Sequence, residues 1–439
     1  MNKMKKKIIA LSLLLAVLFA AAPVAPYART VYAYGETLPP NNAAAVSQTP
    51  SSEPKHNLEL TAKAAALMNA ETGQIVYALN AQERLPEASI TKVMTMLLIF
   101  EAIDAGKLTL DETVTCSEYA ASMGGSQIWL EPGEQMTVHE LIKAALVGSA
   151  NDACVALGEH LAGSNDAFVA MMNDRAEQLG MSSTFYCNCT GLDAEGHVTS
   201  AQDIAVASAE LLRHEAVTDY TRIWMDTLRG GTLQLTNTNK LIKQYNGAIG
   251  LKTGTTSQAG CCISAAAQRD GMTMIAVILG APNSKSRFAD AKKLLDYGFA
   301  NWELTDISAI QPELPDIPVT GGMEKQIGAF VQMEGKVLTE KGKGKDISVK
   351  VELPESLEAP VALGQPIGTV RLSLGSETVG EFDILADRDA PKVTFGAAMR
   401  ELWKGMVGNA EFVMRNAEWI MRSHCFFVRS KTQHQPRPT

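Results

Sequence analysis

A serine and a lysine three residues apart, Ser89 and Lys92, stand directly ahead of the unbroken apolar run Val93-Met94-Thr95-Met96-Leu97-Leu98-Ile99-Phe100. A segment apolar on every side has no face to give to water. As a helix it must lie inside a domain with other elements packed around it. The first turn of that helix then carries a hydroxyl and an amine toward the interior. A second Ser-x-x-Lys string, Ser52-Glu53-Pro54-Lys55, sits in a Pro/Ser-rich stretch with no apolar helix behind it, so the spacing alone specifies little.

Two further strings follow in order. Ser149-Ala150-Asn151 begins 60 residues after Ser89, where an apolar helical stretch gives way to a polar break, and Lys252-Thr253-Gly254 begins 103 residues later still. Such separations allow the three to come from different elements of one fold. Together they form the parts of a serine acyl-transferase that uses no histidine. Positions i and i+3 share a helix face, so Ser89 Oγ and Lys92 Nζ come within hydrogen-bond reach. A serine hydroxyl attacks only when a base takes its proton, and a lysine of ordinary pKa, about 10.4, is seldom neutral at pH 7. Burial and a nearby second cation both disfavour the ammonium form, and Lys252 is the candidate second cation. Ser149 is placed to relay a proton and Asn151 to hold a substrate amide. On an extended strand, Lys252 and Gly254 share a face, which Gly254 leaves open for a peptide to lie against.

The pattern along the chain predicts an α+β architecture. Ala64 to Met68 and Ile75 to Ala78 flank the turn Glu71-Thr72-Gly73 as an opening hairpin, helical stretches dominate through Leu212, and strands return at Gly250 to Thr253, Cys262 to Ala267 and Met272 to Leu279. A closing helix is expected over Arg287 to Phe299. Helices between strands at both chain ends predict helices packed on one antiparallel sheet. This catalytic domain is placed at 58–305. Beyond the Pro-rich segment Gln311 to Pro318, the alternating runs Ile347 to Leu353 and Thr369 to Leu374 predict a small all-β domain at 306–390.

The two ends read differently. Lys3, Lys5, Lys6 and Lys7 before the apolar run Ile8 to Ala22 predict a secretory signal peptide at 1–33, cut after Ala33, with Ala28 as the alternative. A Pro, Asn, Ser and Ala-rich linker is expected at 34–57. From 391 to 439, eight basic residues stand against three acidic ones, and Phe395, Met399, Leu402, Met406 and Val413 fall on one helical face, with Trp403 and Trp419 also present. That pattern predicts an amphipathic helix lying on a membrane surface. The overall net charge of −9 argues against nucleic acid as a partner. Seven cysteines are an odd number in a long chain and read as free thiols rather than a disulfide lattice. The histidines show no metal-ligand spacing, and His139-Glu140 lacks a second histidine four residues on, so no metal or other cofactor is expected.

On these motifs the chain resembles the serine-type D-alanyl-D-alanine carboxypeptidases, the low-molecular-mass penicillin-binding proteins of the DD-peptidase family. The resemblance covers nearly everything after the linker. It implies a serine β-lactamase/DD-peptidase-like catalytic domain, peptidoglycan stem peptide as substrate, β-lactams as covalent inhibitors and action outside the cytoplasm. It further implies Ser89 as the acylated nucleophile, Lys92 as proton acceptor, and Ser149 and Asn151 as the rest of the catalytic set. Lys252 and Thr253 would bind the terminal carboxylate, with Gly254 between them and Thr255. The backbone N–H groups of Ser89 and Thr255 would form the oxyanion hole, and Arg287 would serve as a further arginine on the carboxylate side. Many members carry histidine just after Lys-Thr-Gly, where this chain has Thr255. Two other readings share parts of the evidence. A class A-like β-lactamase has all three strings but also a downstream Glu-x-x-Leu-Asn glutamate, which Met181 to Asn188 lacks. A catalytically silent, muropeptide-binding envelope scaffold would have no need of intact Ser89, Lys92 and Lys252.

Overall fold

The computed structural model describes residues 58–397 together with Met399, Arg400 and Trp403. Its centre is a five-stranded antiparallel sheet built from β1 (Ala64–Asn69), β2 (Ile75–Leu79), β3 (Ala248–Thr256), β4 (Gly260–Arg269) and β5 (Met272–Ala281), in the order β2-β1-β5-β4-β3. The opening strand β1 lies between β2 and β5, so the two ends of the domain meet in mid-sheet. Asp290, buried in the closing helix, reinforces the join by accepting from Thr61 N at 2.9 Å, Thr61 Oγ1 at 2.7 Å and Ala62 N at 3.1 Å.

Both faces of the sheet are covered, and period two sorts the side chains between them. Ala66, Met68, Ala266, Ile275 and Val277 face the helical core that contains α1 (Lys92–Asp104), α2 (Asn151–Ala162) and α3 (Ala201–Leu211). Ala65, Leu67, Ala265, Met274, Ala276 and Ile278 face α4 (Ser284–Asn301), which lays Phe288, Ala291, Leu294, Leu295 and Phe299 against them. The many alanines on the strands let the helices approach closely. Helix α1 is buried from Lys92 through Phe100, as its all-apolar sequence requires.

The apolar stretch over residues 141–157 forms no single helix. A helix at Val138–Lys143 widens into a π-helical turn at Ala144–Gly148, the chain turns at Ser149 with φ +64°, and α2 begins at Asn151. A wide turn followed by a left-handed residue re-aims the chain, a common device at functional sites. That break places Ser149 and Asn151.

The C-terminal part is all β around its own core of Ile317, Ile327, Val370, Leu372, Phe382 and Ile384. Its largest sheet joins Ala329–Val331, Glu377–Ala386, Pro366–Leu374 and Ile347–Glu352. The expected division at residue 305 falls inside the strand Trp302–Asp306, which pairs antiparallel with Lys336–Glu340 of the β region. The expected signal segment, the linker and nearly all of the expected tail helix lie outside the described residues. Among the described residues, no helix is long and apolar enough to cross a membrane, and the six cysteines are free thiols.

Leu294 is fully buried between α4 and the sheet. Leu294→Ala should lower unfolding free energy by about 2–5 kcal/mol through lost burial and the cavity left behind, as measured by denaturant titration.

Candidate active site

Ser89 lies in a single 3-10 turn, Ala88–Thr91, that leads directly into α1. Its side chain is partly exposed while its neighbours Ala88 and Ile90 are buried. The turn is held in a conformation few side chains adopt, with Ala88 at φ +53°. Two glycines make room for it. A Cβ on Gly191 would sit 1.9 Å from Ala88 O, and one on Gly254 would sit 2.8 Å from both Glu87 O and Ser89 N. The open face expected at Gly254 is therefore filled by the nucleophile turn itself rather than left for a peptide. Lys252 and Gly254 pair with Ser264 and Cys262 of β4, on the sheet face toward the helical core, and so lie on the side of Ser89.

Lys92 Nζ is the hub. It lies 3.0 Å from Ser89 Oγ, 2.6 Å from Asn151 Oδ1 and 2.6 Å from the Thr190 carbonyl oxygen. Asn151 Nδ2 donates to Gly124 O at 2.7 Å, which fixes the orientation of the amide. Two of the three partners can only accept, so two N–H bonds of Lys92 are committed to them. The third tetrahedral direction points at Ser89 Oγ. An ammonium donates to that oxygen there; a neutral amine turns its lone pair to the serine hydroxyl proton. Burial lowers the Lys92 pKa from its ordinary value. As the first residue of α1, Lys92 also meets the positive end of the helix dipole, which disfavours a cation further. Lys92 makes no ion pair with any described carboxylate, in keeping with the missing β-lactamase glutamate.

Asn151 thus has a part beyond the one expected of it. Its amide accepts from Lys92 and donates one N–H to Gly124 O, so it orients the base, while the second N–H of Nδ2 has capacity left for a substrate group. Ser149 is buried at the break before α2 and takes no part in the hydrogen bonds around Lys92 Nζ. Lys252 is 1% exposed, and its Nζ donates to Thr253 O at 2.9 Å. Burial first, then the charge of Lys92, pushes its pKa well down. Burial is the leading cause for both lysines, and the repulsion between them acts on each. Among the described residues neither lysine forms an ion pair, so the two together favour an incoming carboxylate.

At the end of β3, Thr253 Oγ1 bonds Thr238 Oγ1 at 2.7 Å, and the exposed Thr255 turns its hydroxyl back to Gly254 O at 2.8 Å. Arg287, from α4, is 6% exposed and commits Nη1 to Gly254 O, Thr255 Oγ1 and Cys262 O, at 2.9, 3.1 and 3.2 Å. It braces the strand end, and Nη2 reaches Ser284 Oγ at 3.2 Å.

Three contributors were not singled out in the sequence. Thr190 supplies a carbonyl to Lys92, and Asn188 Oδ1 shapes that loop by accepting from Thr190 N at 3.1 Å and Gly191 N at 2.7 Å. An Asn three residues before a Gly is a turn signal that marks such a loop, though not what it touches. Asp152, fully buried, accepts from Ile128 N, Leu130 N and Ala153 N, tying the start of α2 to the segment beside it.

Residues 47–283 match the family described as D-alanyl-D-alanine carboxypeptidase, and residues 311–392 match the C-terminal domain of penicillin-binding protein 5. The chain belongs to the D-alanyl-D-alanine carboxypeptidase family. A Bacillus subtilis relative, D-alanyl-D-alanine carboxypeptidase DacF, is 41% identical over 338 residues, 76% of this chain and 87% of its own. The solved structure of penicillin binding protein 5 from Haemophilus influenzae aligns with a TM-score of 0.70 at 31% identity, covering 76% of this chain and 98% of that one. Penicillin-Binding Protein D2 from Listeria monocytogenes, in an ampicillin-bound form, aligns with a TM-score of 0.51 at 35% identity over 56% of this chain and 100% of its own. The family is one of serine-type carboxypeptidases, and in this chain its catalytic α+β domain is followed by an all-β domain.

Gly191→Ala should distort the nucleophile turn, because its Cβ has no room beside Ala88 O and its φ is +84°. Labelling of the folded variant by a fluorescent penicillin should fall at least about tenfold, and its Tm should drop, in line with about 1–3 kcal/mol of backbone strain.

Proposed function

We propose that the protein removes the terminal D-alanine from peptidoglycan stem pentapeptides through an acyl-enzyme on Ser89. The observation that carries this reading is the three-way coordination of Lys92 Nζ, which leaves one direction, toward Ser89 Oγ, for proton transfer. The substrate's terminal carboxylate meets Lys252, with Thr253 and Thr255 at the strand end and Arg287 behind them. Its penultimate carbonyl lies over Ser89. Lys92, in the deprotonated form that burial favours, takes the hydroxyl proton as Oγ attacks. The developing oxyanion is received by the backbone N–H groups of Ser89 and Thr255. With Oγ bonded to the carbonyl carbon, the direction it occupied carries the proton from Lys92, by way of Ser149, to the departing D-alanine nitrogen, so the C–N bond breaks with its leaving group protonated. Water then attacks the ester with the same base, restoring Ser89.

A β-lactam presents a strained amide and a carboxylate to the same groups. Its ring-opened leaving group stays attached, which explains how penicillins label such a serine and leave slowly. The reaction belongs outside the cytoplasm, where the stem peptide is found. The basic N-terminal segment followed by Ile8 to Ala22 supports secretion. The C-terminal segment lies on the membrane surface in this proposal: Phe395, Met399 and Trp403 recur every four residues and are 81%, 44% and 68% exposed.

Mass spectrometry of a D-Ala-D-Ala pentapeptide digest should show loss of one alanine, and Ser89→Ala should abolish both this product and covalent penicillin labelling. Intact pentapeptide from a correctly folded protein would reject the reading. Acylation should speed up as pH rises through the lowered Lys92 pKa, because the active base is the deprotonated amine, and should level off above it. Full-length protein should sediment with anionic vesicles, whereas a chain ending at Lys392 should stay in solution; equal behaviour of the two would remove the anchor.

A further inference from the structure

The nucleophile turn packs against a buried polar cluster that the acyl-transfer steps do not use. Glu87, Tyr186 and His197 are 0%, 0% and 4% exposed. His197 Nδ1 accepts the backbone N–H of Cys187 at 2.9 Å. A backbone amide donates at every pH, so Nδ1 carries no proton, and the imidazole is neutral with its hydrogen on Nε2. Nε2 then donates to Thr91 Oγ1 at 2.8 Å, and the Thr91 hydroxyl donates to Ala88 O at 2.9 Å. The polarity of the whole chain is set from Cys187 N–H to the Ala88 carbonyl.

Glu87 completes the cluster. Its Oε1 lies 3.5 Å from His197 Nε2, and neither carboxyl oxygen has a hydrogen-bond partner. Among the described residues no other basic side chain is within ion-pair reach of it. The Thr91 hydroxyl is the one neighbouring donor that favours ionisation, and it is given to Ala88 O, so a fully buried carboxylate beside a neutral imidazole is too costly to keep and Glu87 is the protonated acid. Burial accordingly pushes the Glu87 pKa well up and that of His197 down to about 4. The other titratable groups whose charges reach this pair are Asp203 on α3, Tyr186 with its buried hydroxyl, Cys262 on β4, and Asp193. Asp203 opposes ionisation of Glu87; Asp193 favours the imidazolium. No cation on any of these elements offsets a charge on Glu87.

We infer that His197 is a positioning residue for the oxyanion site: through Thr91 it holds the Ala88 carbonyl, and with it the Ala88–Ser89 peptide plane, provided that Glu87 keeps its proton. This rests on the reading of Ser89 as the acylated nucleophile. A carbonyl and the N–H of the next residue belong to one rigid plane, so fixing Ala88 O fixes the direction of the Ser89 N–H. Ala88 has φ +53°, a conformation that a surrounding structure must enforce. Gly191 presses on the same carbonyl from its own side. An ionised Glu87 would compete for the Nε2 hydrogen and release Thr91, so the pair acts as a buried proton lock on the turn.

The test is the rate of acylation by a fluorescent penicillin, with Tm, for wild type, H197L, H197Q and E87Q between pH 5 and 9. H197L should acylate at least about tenfold more slowly, a part of the 10²–10³ that a directly lost oxyanion donor costs. H197Q, which retains an N–H donor near Nε2, should recover part of that loss. E87Q should hold its acylation rate to higher pH than wild type. The sign for stability follows from linkage: the raised Glu87 pKa makes the folded wild type retain a proton that the unfolded chain releases, so wild type loses stability as pH rises from the ordinary carboxyl pKa toward the folded one. The Tm advantage of E87Q should therefore widen from pH 5 to pH 8. A folded H197L that acylates at the wild-type rate, or an E87Q Tm difference that is the same at pH 5 and pH 8, overturns the inference. If H197L does not fold, the E87Q comparison decides. A folded wild type that takes no label while the E87Q difference still widens overturns the assignment of Ser89 instead, which is a distinguishable result.

Discussion

The protein is organised around one nitrogen. Lys92 Nζ accepts its environment from three separate parts of the chain, the nucleophile turn at Ser89, the first residue of α2 at Asn151 and the loop carbonyl of Thr190. An amine with two hydrogens committed has only one way to face, and that way is the serine. Removing any of the three would leave a buried lysine with an open choice of partners, and the proton transfer would lose its direction. Much of the rest of the fold serves to bring these pieces to one place and keep water from re-solvating the amine.

The sheet and the helices divide that work. An all-apolar α1 fixes Lys92 deep in the core while its first turn reaches the surface at Ser89. The π-helical turn and left-handed Ser149 re-aim the chain so that Asn151 opens α2 toward the lysine. Gly254 and Gly191 supply the clearance that lets a strand end and a loop close on the nucleophile turn from different directions. These are steric permissions rather than attractive contacts, and they explain why two positions without side chains matter as much as the charged ones.

Electrostatics follow from this packing. Two lysines enclosed together make each other reluctant to carry charge, and burial adds to that reluctance. The free site is therefore short of negative charge, which a carboxylate-ended peptide or a β-lactam brings with it. Substrate recognition and activation of the base are thus two consequences of one desolvated, cation-rich site. The neutral acid and imidazole at Glu87 and His197 show the complementary solution, a polar cluster kept buried by carrying no charge at all.

Period and order in the sequence determined the kinds of element and the members of the site. Alternation marked the strands, the unbroken apolar run marked α1 as buried, and the three ordered strings pointed to Ser89, Lys92, Ser149, Asn151 and Lys252, of which the fold joins Ser89, Lys92 and Asn151 by hydrogen bonds. What sequence spacing could not decide was which atoms touch. Asn151 turned out to orient the base, Gly254 to admit the nucleophile turn, and Arg287 to brace the strand end, since each of these depends on contacts between residues at least 33 positions apart. Thr190 was invisible for a simpler reason: it contributes a backbone carbonyl, which every residue possesses. Local pattern reports the side chain a residue brings, whereas direction, clearance and desolvation arise only when distant segments pack together, and those are the quantities that set the chemistry here.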